Sequence, residues 1–418
     1  MTAMTLPKYL VGSRRAILDI ASTRWSLLIG GLLVLSAGFA REYDGEDLVH
    51  EPWHALRPLA ASLASGTALF LVVHLAALLK SKGAQGNRPG FFEAWQRFMG
   101  LFWMTAPMAW LYAVPYERMM QPVDAIQLNL WTLALVALWR VVLMVRVIQV
   151  LYGIRSVFAF FLVMLFADAV VFVVITTVPT PVIDIMGGIR QSERDALLAS
   201  VTLMVGALSV LTAPLWIIGA LASAAMLRPH WPELPDRTDQ PNPIGLLTVA
   251  VVALLAFVPL LIVSQPEQMK RRAVEQLFEQ GKAPEALAKM SQHQPSDFPP
   301  QWNPPPRLGY REDTPDLNDV RDAMTQHWPA QWVAEVYLDK LERHLKTEIR
   351  WSMGYLTWSE IAELMLEYPG DYELEEEHRR SAQFLHDHMT SLTDAEREAL
   401  LRIATQKPID AEPSQPPD

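Results

Sequence analysis

The sequence predicts an all-α chain, a polytopic membrane helix bundle of about seven spans followed by a small soluble helical domain. Three observations predict it. Of 418 residues, 51% are hydrophobic and 19% charged, with a mean hydropathy of +0.15; a soluble chain carries roughly 25% charged residues. The charge is unevenly divided: residues 1–264 hold 18 Lys+Arg and 16 Asp+Glu, residues 265–418 hold 17 and 29. The first part also contains seven long, nearly charge-free runs, which leave too little polar surface for the amphipathic helices of a water-soluble fold.

The elements follow in order. Residues 1–24 are a basic N-terminal segment with no small-residue cleavage site, so they do not read as a signal peptide. A membrane helix needs about 20 apolar residues to cross a hydrocarbon core of about 30 Å. The runs that meet or approach this are 25–40, 58–79, 98–116, 125–145, 156–178, 196–227 and 243–264. The first is the shortest and crosses only with help from flanking groups. The sixth contains Pro214 and is expected as one kinked helix, opened by Ser192 as N-cap with Glu193 and Asp195 behind it. In the second, Ala60/Ala64, Ala61/Ser65 and Ser62/Gly66 form a face of small residues that admits close helix approach.

Basic residues concentrate in cytoplasmic loops. The N-terminus and the loops after spans two, four and six carry 12 Lys+Arg, the opposite loops 5. The N-terminus is therefore expected in the cytoplasm of a plasma membrane of bacterial inner-membrane type. Seven crossings place the C-terminal domain outside, whereas Lys270, Arg271 and Arg272 argue for the inside.

Residues 265–294 read as a helical hairpin, with Ala273, Val274, Leu277 and Phe278 on one stripe, Gly281 as the stop and Pro284 in the next first turn. Residues 295–306 are a proline-rich connector, expected as a spacer or packed through Phe298 and Trp302 on its own domain. Residues 307–407 form an acidic helical domain. Val333, Val336, Tyr337, Leu341 and Leu345 mark one helix face, Thr357/Glu360 and Thr393/Glu396 are capping boxes, and Pro369-Gly370 is a turn. The tail 408–418 has the composition of disorder. This acidic part excludes nucleic acid as a partner through bulk charge; the partners expected are the lipid bilayer and a protein meeting residues 266–407.

Few residues suggest chemistry. Without cysteine there are no disulfides, thiolate zinc sites or cysteine nucleophiles. His50-Glu51-Pro52-Trp53-His54 matches H-E-x-x-H, in which a helix sets two histidines on one face around zinc. Pro52 opposes that reading, because proline fits a helix start and not its interior, and His50 then falls outside the helix. The surrounding loop holds five carboxylates, an oxygen-rich set suited to a hard cation and equally to a solvated surface. His386 and His388, two apart on a helix, point to different faces.

Within the spans, His74, Arg140 and Asp168 are expensive in hydrocarbon and so are functional candidates. Counted from the loop joining spans four and five, Arg140 and Asp168 lie at depths a long side chain bridges, so an Arg140–Asp168 pair is expected. No cofactor motif is present. The sequence supports a non-enzymatic membrane anchor or scaffold whose helical domain binds a protein partner. The alternatives are a transporter or channel using Asp168 and Arg140, and a metal-dependent membrane enzyme using His50, Glu51 and His54.

Overall fold

The structure is a computed structural model that describes residues 2–42, 47–80, 89–177, 193–224, 242–300, 302–306, 316–349, 356–367 and 375–405. The expected turn at Pro369-Gly370, the cap at Ser192 and the tail from residue 408 lie outside them. Every element among the described residues is helical. The chain divides into two compact units, one drawn from 1–179 and 201–268, the other from 180–200 and 269–418.

The first unit begins with two short helices, α1 (Thr5–Leu10) and α2 (Arg14–Ser22). Helix α2 buries Ile17 and Ile20, and its axis is bent 110° from that of α3 (Ser26–Glu42). A 3₁₀ helix (Pro52–Leu56) leads into α4 (Arg57–Lys80). Helix α5 (Phe91–Trp103), a 3₁₀ helix (Ala106–Ala113) and α6 (Tyr116–Met119) follow, then the long α7 (Pro122–Tyr152) and α8 (Ser156–Thr177). Helix α9 (Glu193–Ala224) keeps Pro214 inside one helix, and α10 (Ile244–Ala256) runs at a short break into α11 (Val258–Glu279).

Among the described residues, five helices are long and apolar enough to cross a membrane. The outward faces of this unit explain why water does not suit it: Leu211, Leu221 and Ile262 are each at least 70% exposed. Besides the seventh, divided between α10 and α11 at Phe257, two of the seven expected spans are not single long helices. The first is the 17-residue α3, and the third is broken between α5 and the 3₁₀ helix. Pro107 explains the break, because it has no N–H to offer the Trp103 carbonyl one turn back. The other carbonyls at the end of α5 find new partners. Gly100 O accepts from Met104 N, Phe102 O accepts from Thr105 Oγ1 at 2.7 Å, and Leu101 O accepts from Tyr9 Oη at 2.6 Å. Helix α1 thus caps a break that apolar surroundings would otherwise leave exposed.

Close packing in this unit rests on small residues. A Cβ on Gly66 would meet Phe102 and Met99 of α5 within 3 Å, and one on Gly219 of α9 would meet the Phe161 ring of α8.

The second unit has its own core, in which Phe278, Tyr337 and Trp358 are fully buried. Gly281 takes φ +71° after α11 and Pro284 sits in the first turn of α12 (Ala283–Ser291). Phe298 stacks on Trp302 at 4.6 Å, Trp302 Nε1 donates to Glu275, and Tyr337 Oη donates to Pro305 O. Buried Lys340 donates to the carbonyls of Pro304 and Pro306. The proline-rich stretch therefore belongs to this core instead of standing off as a spacer. Helices α13 (Leu317–Gln326), α14 (Gln331–Ile349), α15 (Trp358–Glu367), α16 (Glu376–His388) and α17 (Asp394–Thr405) complete it. Thr357 with Glu360 and Thr393 with Glu396 exchange side-chain-to-backbone hydrogen bonds in both directions, so both capping boxes form. Arg321, 3% exposed, ties α13 to α16 through Ser381 and Glu377.

Candidate functional site

The residues that could carry chemistry fall at four places in the first unit, the last of them His74. At the first, Pro52 opens the 3₁₀ helix with Glu51 at its N-cap, and His50 lies outside it. His50 Nδ1 bonds to Asp47 Oδ2 at 2.7 Å, and His54 Nε2 faces Glu51 Oε2 at 3.1 Å. Two separate imidazole–carboxylate pairs stand where a zinc site would need both histidines on one helical face. Among the described residues no three His, Asp or Glu side chains are placed to hold a metal. The side chains of Glu42, Asp44 and Glu46 lie outside the described set.

This loop instead fastens one end of the bundle. Gln265 Oε1 accepts from the N–H groups of Leu48 and Val49 at 2.8 and 3.3 Å. Arg118 pairs with Glu267 at 2.7 Å, and Asp47 is 2% exposed. The loop before α4, the segment around α6 and the exit from the last apolar run therefore share one end of the unit.

The second place is around Asp168. The expected Arg140–Asp168 pair is absent. The Asp168 carboxylate accepts from Thr212 Oγ1 at 2.8 Å, and Ser209 Oγ donates to its backbone carbonyl at 3.1 Å. Both donors come from α9. Helix α8 thus turns Asp168 toward α9, while α7 turns Arg140 toward α5, and matching depth does not bring the two together.

The third place is Arg140 itself. Its guanidinium carbon lies 4.5 Å from the centroid of Phe102, in the last turn of α5. The aromatic face and the negative end of the α5 dipole both favour a cation there. The hydroxyls of Tyr9 and Tyr112 lie within its electrostatic reach, and Tyr112 also feels Arg41. Among the described residues Arg140 makes no hydrogen bond or ion pair. His74, 3% exposed, is apart from both: it stacks on Phe70 at 4.8 Å and meets Phe91 and Tyr152 edge-on. In the second unit His386 pairs with Asp387 while His388 stacks on Trp328, so these two histidines do not converge.

Sequence reasoning missed Tyr9, Tyr112 and Gln265. Only Tyr9 left a trace, as an aromatic with a polar tip in a short apolar stretch near the start of the chain. No protein-family model, no curated protein and no solved structure matches this chain.

Proposed function

We propose that the chain is a multi-pass integral protein of a bacterial-type inner membrane. It crosses seven times and acts as a non-enzymatic anchor or scaffold whose C-terminal helical domain, soluble and acidic, binds a protein partner. The observation that carries this reading is the second unit's own hydrophobic core, built from α11 to α17 and from the proline-rich stretch. A domain complete in itself, joined to a lipid-suited bundle by the continuous α11, is the architecture of a tethered module.

The crossing number draws support from the fastened end. Residues 48–49 bond to 265, and 118 pairs with 267. An even number of crossings must separate any two of these points. Two runs separate the first pair of segments along the chain, four separate the next, and α3 precedes them all. The basic N-terminal segment then lies at the opposite end, on the cytoplasmic side by its charge, and the C-terminal domain lies outside.

Two measurements test this. Protease should cut the C-terminal domain in spheroplasts; protection there refutes the sidedness. A photo-crosslinker at half-exposed Trp328, introduced in the full chain in cells, should give one discrete protein adduct, while the same group at Leu211 of α9 should give lipid. Lipid adducts at both positions refute the scaffold. A second reading, transport of an anion, is favoured by one feature: Arg140, without a carboxylate, stands beside a broken span.

A further inference from the structure

The N-terminal segment turns charge of one sign outward. Residues 1–24 hold four basic residues, Lys8, Arg14, Arg15 and Arg24, against one acidic residue, Asp19. All four basic residues are exposed, while Asp19 is half-buried. Helix α2 shows how this arises. Ala16, Ile17, Ile20 and Ala21 bury its apolar stripe in the unit, which leaves Arg14 and Arg15 on the outside. Both arginines stand in the first turn, at the positive end of the helix dipole, and no acidic residue accompanies them there. Among the described residues neither side chain makes a hydrogen bond or ion pair. The helix by itself does not favour these charges; an external anion does.

The geometry gives this surface a definite level. The 110° bend sets α2 within about 20° of a right angle to α3, so on the membrane reading α2 lies along the membrane plane. Just before it, Gly12 turns the chain at φ +77°, and its carbonyl accepts from Arg146 Nε at 3.2 Å. Arg146 is 22 residues beyond Asp124 on α7, about 33 Å at 1.5 Å per residue, which matches a hydrocarbon core of about 30 Å. The start of α2 is thus level with the point where α7 leaves the core. The flanking side chains suit that level. Val11 is 76% exposed and Trp25 is 41% exposed, and the Arg24 guanidinium lies 5.4 Å from the Trp25 ring centroid. Tryptophan beside arginine is the pattern of anchoring at an apolar–polar boundary.

We infer that α2 is an interfacial helix whose outer face docks on anionic phospholipid headgroups, with Arg14 and Arg15 as the contacts. The adjoining leaflet supplies the partner, and charge selects it. The inference rests on the membrane reading of the first unit and asks nothing of the C-terminal domain.

The test uses the full chain in nanodiscs of equal phosphatidylglycerol and phosphatidylcholine, with a photo-crosslinker at Val11 and, as control, at Leu211 of α9. Both positions should give lipid adducts. The ratio of phosphatidylglycerol to phosphatidylcholine at Val11 should exceed that at Leu211 by at least about fivefold, the contribution of one basic residue near an anionic surface. Arg14→Gln with Arg15→Gln should bring the two ratios together, and Arg14→Lys with Arg15→Lys should keep them apart. If the glutamine variant fails to fold, a salt series on the unaltered chain decides, because the preference should vanish at about 1 M salt, where charges are screened within about 3 Å. Equal ratios at Val11 and Leu211 in the unaltered chain, a preference that survives the glutamine variant or the salt, or a protein adduct in place of lipid at Val11 each overturns the inference. Absence of lipid adducts at Leu211 as well overturns the membrane reading beneath it.

Discussion

Gly30 and Gly31 are neighbours in α3, yet alanine at the two positions should shift stability in opposite directions. Both substitutions remove the conformational freedom of glycine from a helix interior, a gain of up to about 1 kcal/mol each. Their surroundings differ. A Cβ on Gly30 would lie 2.7 Å from Trp103 Cβ and 3.3 Å from the Gly100 carbonyl oxygen. Neither atom is the free end of a flexible chain, so α3 and α5 must separate. Overpacking of this kind costs about 1–3 kcal/mol. A Cβ on Gly31 would find the Trp103 ring at 3.7 Å, ordinary van der Waals contact. Subtracting one variant from the other cancels the shared helix-propensity gain and leaves the packing cost, about 1–3 kcal/mol. For a unit of this size, that is a gap of roughly 2–12 °C in melting temperature. The assay is thermal melting of full-length Gly30→Ala and Gly31→Ala in the same mild detergent, followed by size-exclusion recovery. If the two variants melt together, or if Gly31→Ala is the weaker, α3 and α5 do not cross at Gly30 and the reasoning fails.

Further outcomes can be checked with the same purified chain. Tyr9→Phe, which strands the Leu101 carbonyl at the break, should cost about 1 kcal/mol in melting experiments and loosen hydrogen exchange at residues 100–106, whereas a change confined to α1 would count against the capping role. Asp168→Asn keeps an acceptor for Thr212 and should cost less than about 1 kcal/mol, and an Arg140/Asp168 charge swap should give no rescue; rescue would restore the pair. Arg321→Lys loses the fork that joins Asp322, Ser381 and Glu377 and should destabilise the second unit by about 1–3 kcal/mol in urea unfolding. Glu348 gives a pH signature. Burial raises its carboxyl, but hydrogen bonds from His344 and His378 and their charges outweigh that and bring it to about 2 from the usual 4.5. Its contribution is therefore complete above pH 4.5 and fades as pH falls toward 2, so Glu348→Gln should flatten the acid limb of unfolding between those values. An unchanged limb would show that the two histidines do not hold it.

Much of the fold could be read from the sequence because its determinants are local. Apolar runs, the capping residues Thr357 and Thr393, and the Gly281–Pro284 punctuation each act over a few residues. Pro52 likewise decided the fate of His50 and His54 within a single turn. The break in the third span was harder to see. Pro107 stands inside that run, but a kinked helix and an α-to-3₁₀ break differ only in where the freed carbonyls find donors. One of those donors is Tyr9, 92 residues away from Leu101, and no local pattern announces it.

The Arg140–Asp168 expectation failed for a related reason. Rise per residue sets the depth of a side chain, and both depths followed from counting. Which neighbour a helix face meets is set by packing, and the small residues record that choice only weakly. Gly219 lets the Phe161 ring approach α9, and that contact turns α8 so that Asp168 meets Ser209 and Thr212. Arg140 is left on the opposite problem, a cation set against a ring face and a helix end. Such a set stabilises positive charge without neutralising it, and its donors stay unpaired. A carboxylate would lock the arginine's geometry; with none beside it among the described residues, the Phe102 face and the C-terminal end of α5 set where the guanidinium lies.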